Sequence, residues 1–438
     1  MIALYDPARM RAAEHGEVHE ALQAARRAQV EWAARSTAER AKLIGKLRPL
    51  LAANVNGLGT ATAALTKRPL SEKIVSEVYP LLEACRFLEK NAARILRSQR
   101  FGAAGRPLWL PGSSFEVLRK PFGVVLIIGP RNYPLFLPVV QMLHALTAGN
   151  AVLLKPAEGA SAPLTRFASD VLERSGIPGE LVQILPESIE AAREAVRCGI
   201  DKAVFTGSSA NGRDFLLHLA QYNTPSVMEL SGADAVFVRA DADVELAARA
   251  IAFGLRLNAG DTCMAPRLLI AHTEIAGRLT KALQTSGALP PETIVVQNDA
   301  EALQVAAADD HGLGAVIFSR DEAAARKFAQ QLTTGFVTIN DIIVPTADPR
   351  MPFGGVRSSG FGVTRGAEGL LEMTHPQAIA LRRGRFLPHL DPPQREDAQL
   401  FSAFATLLHG GGFRKRWSSL RALVRLGRAR LKSNKGAR

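Results

Sequence analysis

A chain of 438 residues is long enough for two or three domains with full cores, and its 47% apolar and 22% charged content is that of a globular protein rather than a disordered or fibrous one. The net charge of +13 points to nucleic acid only until it is located: residues 412–438 carry ten Lys or Arg and no Asp or Glu, which leaves +3 for residues 1–411. Three cysteines (Cys85, Cys198 and Cys263) are too few and too scattered for a disulfide framework and form no zinc-type pair, so a reducing, cytoplasmic setting without a metal site is expected. The first residues lack the basic and apolar regions of a signal peptide, and no apolar run approaches the ~20 residues needed to span a bilayer.

The first hundred residues read as helices. Ser36-Thr37-Ala38-Glu39 has capping-box spacing, and Leu43, Ile44, Leu47, Leu50 and Leu51 then repeat on one face. A longer helix starts near Ser71 and carries Cys85 in its apolar stripe, the setting of a buried structural thiol. Between Gly105 and Lys120 the helical pattern breaks at Pro107, Pro111 and Gly112, and Phe115 to Arg119 has strand character, as in an extended arm. From Gly123 onward strands and helices alternate. Strands are expected at 124–128, 151–155, 182–185 and 202–206, and helices at 135–146, 164–174, 189–197 and after Gly212. Cys198, at a helix end before Gly199, is a second structural thiol. This is the pattern of a parallel sheet covered by helices on both faces. After Glu229 the alternation continues with a helix over 244–257 and strands at 235–238, 268–271, 293–296, 315–318 and 336–340, which predicts a second α/β domain.

The chemistry concentrates in the loop Asn258-Ala259-Gly260-Asp261-Thr262-Cys263-Met264-Ala265-Pro266. A cysteine in a glycine-bearing loop between helix and strand can act as a nucleophile, since the thiolate attacks carbonyl carbon readily. Upstream, Glu229 in Met228-Glu229-Leu230-Ser231-Gly232 supplies a carboxylate base, and Asn132 in Gly129-Pro130-Arg131-Asn132-Tyr133-Pro134 supplies an amide donor. For a dinucleotide, Gly207, Ser208 and Gly212 in Thr206-Gly207-Ser208-Ser209-Ala210-Asn211-Gly212 lie between strand and helix, where small residues admit a pyrophosphate to a helix N-terminus. Lys155 and Glu158 stand at the C-terminal end of a strand, where they could meet the adenosine ribose; Glu158 would repel a 2′-phosphate and favours NAD over NADP.

These stretches, with Pro130 in its Gly-Pro-Arg-Asn turn, Gly149-Asn150 and Pro352-Phe353-Gly354-Gly355-Val356 with Ser358-Ser359-Gly360, resemble the aldehyde dehydrogenase superfamily over roughly residues 20 to 380. The Asn-Tyr-Pro, Asn340-Asp341 and Gly-Gly-Val forms are nearest to its class 3, fatty and aromatic aldehyde branch. The resemblance implies an aldehyde dehydrogenase-like α/β fold: a Rossmann-type dinucleotide-binding domain over 1–104 and 121–229, a catalytic domain over 230–365, and a β oligomerisation arm over 105–120 and 366–384. A basic tail follows over 385–438. It also implies a homodimer, NAD with NADP as the variant cofactor, a small aldehyde as substrate, Cys263 as nucleophile, Glu229 as base and Asn132 as oxyanion donor, with Pro130, Lys155, Glu158, Gly207, Ser208 and Gly212 at the cofactor.

Three departures from the family pattern stand out. Asp261 replaces Gln two residues before the cysteine and is expected to raise the thiol pKa unless Arg267 compensates. Ser231 replaces a glycine beside Glu229. Only 90 residues lie between Cys263 and Gly354, a shortening that removes the family's Glu-(Ile/Val)-Phe-Gly-Pro element and its contact to the nicotinamide ribose. These departures predict weak turnover or, as the alternative, a binding or scaffold protein. In the tail, Trp417, Leu420, Val424 and Leu431 share one face of a basic helix, which suits an anionic membrane surface; a solubilising tail is the plain alternative and nucleic acid the weaker one.

Overall fold

The computed structural model describes residues 7–384, 387–390 and 392–436, and contacts divide the chain into two units, Met1–Phe101 with Phe115–Ile379 and Gly102–Ser114 with Ala380–Arg438. In the first unit the chain opens with helices Pro7–Ala34, Thr37–Ala53 and Val55–Thr66. Ser36 and Glu39 cap the second of them reciprocally, as the box spacing requires. Helical structure then runs from Leu70 to Ile95 through a π-turn at Ile74–Val78. These helices are amphipathic and press Leu22, Trp32, Ile44, Leu47, Leu81, Cys85 and Leu88 into one core with the strands that follow.

That core contains a six-stranded sheet. We number its parallel strands β1 (Val124–Ile128), β2 (Ala151–Lys155), β3 (Val182–Ile184), β4 (Lys202–Thr206) and β5 (Ser226–Glu229). The order across the sheet is β5-β4-β1-β2-β3, with the short strand Gly360–Phe361 added antiparallel outside β5. β1, β2 and β4 are buried along their whole length, which is why they read as unbroken apolar runs rather than alternating ones. Gly360 sits at φ 103° with its Cα against β5; a Cβ there would lie 1.8 Å from Met228 O, so only glycine lets the returning strand close on Glu229.

A second parallel sheet holds β6 (Asp234–Val238), β7 (Pro266–His272), β8 (Glu292–Val296), β9 (Gly314–Phe318) and β10 (Phe336–Ile339), in the order β8-β7-β6-β9-β10. Its two faces carry separate apolar clusters, one built on Val236, Ile251 and Leu269 and the other on Phe237, Ile270 and Phe328. Strands Gln99–Phe101, Ser113–Pro121 and Thr374–Arg382 form a separate three-stranded sheet. Within the stretch 366–384 expected as arm, Gly366–Glu372 is a helix that buries Leu370 in the first core.

In the second unit, helices Asp397–His409 and Phe413–Gly436 form a hairpin about Gly410-Gly411-Gly412. Arg416 donates to the carbonyls of Leu407 and Leu408 and so satisfies the end of the first helix. Leu426 is buried, whereas Phe413, Trp417, Leu420 and Val424 are exposed. Among the described residues no helix is long and apolar enough to cross a membrane.

Candidate active site

The cysteine loop is shaped by what precedes it. Helix Val244–Arg256 buries Ala247, Ala248 and Ile251 and stops at a turn in which Asn258 and Ala259 take left-handed φ of 51° and 55°. Asparagine tolerates that conformation when its side chain is bonded locally, and Asn258 is. Its amide donates to Asp261 O at 2.9 Å and to Asn132 O at 3.1 Å, and its Oδ1 accepts from Lys73 Nζ at 3.0 Å. Lys73 pairs with Glu77 at 3.2 Å, both fully buried, across the π-turn. Glu77 Oε2 in turn accepts from the N–H groups of Leu135 and Phe136, which open the helix Phe136–Ala148. One buried ion pair thus clamps the Asn132 turn against the Cys263 loop.

Within that clamp Asn132 Nδ2 donates to Asp261 O at 3.1 Å, and the Tyr133 hydroxyl shares a 2.8 Å hydrogen bond with Thr262 Oγ1. Glu229, the last residue of β5, is buried; Oε2 accepts from Thr364 Oγ1 at 3.3 Å. Burial pushes its carboxyl pKa up, against the opposing charge of Arg365. Burial likewise raises the Cys263 thiol, followed by the carboxylates of Glu229 and Asp234, and again Arg365 opposes. The expectation for Asp261 and Arg267 is corrected here. Asp261 is exposed, Arg267 donates to Gly260 O, and the carboxylate beside the thiol that sequence spacing missed is buried Asp234, with Arg365 as the balancing cation.

Two clefts meet at this point. One, of ≈ 930 Å³, runs along the C-terminal ends of the first sheet and is lined by Pro130, Asn132, Lys155, Glu158, Gly207, Ser208, Glu229 and Cys263 among others. Ser208 caps helix Ser209–Ala220 by accepting from Asn211 N, so the helix starts three residues before the expected Gly212. Among the described residues Gly212 is not part of this lining. A Cβ there would lie 2.3 Å from Leu230 Cδ2. Lys155 is buried, and desolvation lowers its pKa against the pull of Glu187 and Glu158. Glu187 accepts from the N–H groups of Gly159 and Ser161 at 2.6 and 2.8 Å and so holds the turn after Lys155, a role no local motif announces.

The other cleft, of ≈ 620 Å³, is mostly apolar, with Val75, Pro80, Phe253, Leu257, Ile343, Val344 and Phe353 in its walls and Glu229, Cys263 and Arg365 within it. Glu72 and Arg256 add charge to its lining. Among the described residues no group of three His, Cys, Asp or Glu could hold a metal ion.

A profile described as "Aldehyde dehydrogenase family" matches residues 6–288 and 292–379. The chain belongs to the aldehyde dehydrogenase family. Membership makes it an oxidoreductase. Among curated relatives it is similar to 4,4'-diapolycopene aldehyde oxidase from Methylomonas sp, 29% identical over 90% of this chain and 87% of that one. It is also similar to the dimeric, NADP-preferring aldehyde dehydrogenase of Mus musculus, 24% identical over 78% and 90% of the two chains. The fold is shared with the NAD-dependent aldehyde dehydrogenase of Sinorhizobium meliloti (TM-score 0.78, 23% identity, covering 86% of this chain and 89% of that one). PnpE in complex with nicotinamide adenine dinucleotide has the same TM-score of 0.78, at 23% identity over 86% and 92% of the chains.

Proposed function

We propose that the chain oxidises an apolar aldehyde to its carboxylic acid with NAD, or NADP, as the electron acceptor. The observation that carries this reading is the meeting of a polar, helix-terminus cleft and an apolar cleft at Cys263 and Glu229. The aldehyde enters the apolar cleft and its carbonyl carbon is attacked by the Cys263 thiolate. The second N–H of the Asn132 amide, not used by Asp261 O, is available to the developing oxyanion with the Cys263 N–H. The dinucleotide fits the polar cleft by its chemistry: Lys155 and Glu158 would hold the adenosine ribose, and the uncovered N–H groups at Ser208 and Ser209 the pyrophosphate, beside Pro130 and Gly207. When bound, the nicotinamide supplies the hydride acceptor. Glu229 then takes a proton from the water that releases the acid from the cysteine. The family assignment favours this reading over a scaffold protein.

The relative named for 4,4'-diapolycopene aldehyde supports a substrate with a long apolar body, as do the cleft walls. The test is NADH formation by purified protein with alkanals of increasing length against succinate semialdehyde. A preference for the charged semialdehyde would overturn the apolar assignment, and no NADH with any aldehyde would overturn the activity. We also propose a homodimer through the arm: dimeric relatives exist, and strand Thr374–Arg382 lies at a sheet edge with Ile379 and Leu381 exposed. A monomer in light scattering would rule it out. For the tail we propose attachment to an anionic bilayer, supported by the exposed Phe413, Trp417, Leu420 and Val424 beside Arg421, Arg425 and Arg428 on a helix without acidic residues. Equal sedimentation with anionic and neutral vesicles would refute it.

A further inference from the structure

Arg365 occupies the apolar cleft with Glu229 and Cys263, yet no motif in the sequence singles it out. It is 5% exposed, at φ 65°, between Thr364 and helix Gly366–Glu372. Its position is set closely. Thr364 and Phe353 exchange backbone hydrogen bonds at 2.7 and 2.8 Å, and Thr364 Oγ1 reaches Glu229. The guanidinium lies 4.4 Å from the Phe353 ring centre and 5.6 Å from that of Phe136, and its Nη1 donates to Thr346 O.

What remains is a pair of orphans of opposite kind. Among the described residues Arg365 Nε, a donor, and Glu229 Oε1, an acceptor, are both buried without a hydrogen-bond partner. Each side chain acts electrostatically on the other, but no ion pair within 4.0 Å joins them. Buried polar groups are rarely left so, and a cation and an anion that do not close on one another leave room for a small polar molecule between them. Water offers the complement of both, since it accepts from Nε and donates to Oε1.

We infer that Arg365 is a further catalytic residue, which holds the hydrolytic water jointly with Glu229 and stabilises the Cys263 sulfur as it leaves the acyl carbon. The inference rests on the thioester reading above. In this step the water oxygen bonds to the acyl carbon, its proton passes to Glu229, and the C–S bond breaks with its electron pair returning to sulfur. Water is the only co-reactant. Arg365 gives up no proton; it orients the nucleophile and offsets negative charge on the thiolate. The groups that face this sulfur are Glu229 and Asp234, which disfavour the thiolate, Arg365, which favours it, and Tyr133, whose hydroxyl is tied to Thr262.

The test compares wild type with Arg365→Met, Arg365→Lys and Arg365→Ala, the last with and without added ethylguanidinium, in folded full-length protein. Rapid mixing with aldehyde and NAD should give a burst of NADH whose size is kept in Arg365→Met while the steady-state rate falls about tenfold or more, as for loss of a group used in deacylation. Ethylguanidinium should restore part of the steady-state rate to Arg365→Ala, which a purely structural defect would not allow. The pH profile of Cys263 alkylation by iodoacetamide, which needs no turnover, should move to higher pH in Arg365→Met and return toward wild type in Arg365→Lys. A burst that shrinks in step with the steady-state rate, or an alkylation profile that does not move, would overturn the assignment. If no acyl group on Cys263 can be trapped by acid quench even in Glu229→Gln, where deacylation is slowed, the thioester reading falls instead, and the alkylation profile alone then decides whether Arg365 acts on the sulfur.

Discussion

The two clefts around Cys263 differ in everything except the residues they share. The larger one lies at the strand ends of the first sheet and is charged, with Lys155, Glu158, Glu187, Arg193, Asp214 and Arg267 in its lining. The smaller is apolar over most of its wall and keeps one deeply buried cation, Arg365. Leu137, Glu229, Thr262 and Cys263 belong to both. A polar ligand and an apolar one can therefore approach the same sulfur through different clefts, which is what an oxidation coupled to a separate acceptor requires. The buried side favours neutral groups, so the thiol and carboxyl at the junction are both pushed toward their protonated forms.

The strongest way to break this comparison is to remove the shared sulfur. Cys263→Ala should lower aldehyde-dependent NADH formation about a thousandfold or more, while NAD binding measured by fluorescence titration stays intact. Comparable rates would mean that the clefts do not meet in chemistry. Glu229→Gln should reduce the steady-state rate by about 10²–10⁴. Because burial raises the Glu229 pKa and a base acts only when ionised, the wild-type rate should fall as pH drops through that raised value; the acid limb should be missing from Glu229→Gln. A pH-independent wild-type rate would contradict the assignment.

The clamp behind both clefts can be opened separately. Lys73→Met leaves Glu77 buried without its cation and should cost about 3–5 kcal/mol of stability, read as a lower urea midpoint; an unchanged midpoint would show that the pair is dispensable. Smaller effects should sort by cleft. Lys155→Ala should raise KM for NAD about tenfold without moving KM for the aldehyde, and Val344→Asp should do the reverse. A variant that moves both constants together would merge the two clefts into one.

The smallest effect expected is on stability alone. Asp234 is held protonated by burial, its pKa pushed up to about 8. Since the unfolded carboxyl ionises near its ordinary value, the unfolded state binds fewer protons between about pH 4 and pH 8, so this group's contribution is full below that window and lost as pH rises through it. Asp234→Asn keeps an acceptor for Gly314 N and should raise Tm at pH 8.5 by about 2 °C or more relative to wild type, with little change at pH 4. An equal shift at both pH values would assign the effect to packing instead.

The alternation of buried apolar runs with helical stripes makes nearly every strand legible, most plainly β1, β2 and β4, which are covered on both faces and so read as unbroken apolar runs. Helix starts are legible where a serine and a glutamate form a full capping box, as at Ser36 and Glu39, and less so at Ser208, whose cap has Asn211 in place of the glutamate. The thiol, carboxylate and amide are carried by local motifs, and the structure brings Cys263, Glu229 and Asn132 to one cleft. Glu187, Asp234 and the Lys73–Glu77 pair carry no such signal. They act across long stretches of chain: Asp234 accepts from Gly314 N, 80 positions away, and Lys73 donates to Asn258, 185 positions away.

What the sequence by itself determined is the order of elements, the family and the identity of the thiol, carboxylate and amide, since each depends on side-chain type and near-neighbour spacing. Only the tertiary structure decided how those groups are charged. Burial and long-range partners set that, and they placed Asp234 and Arg365 rather than Asp261 and Arg267 against the sulfur. The energy of an ion depends on how far water is kept from it and which charges remain, and neither quantity is written in the neighbours along the chain.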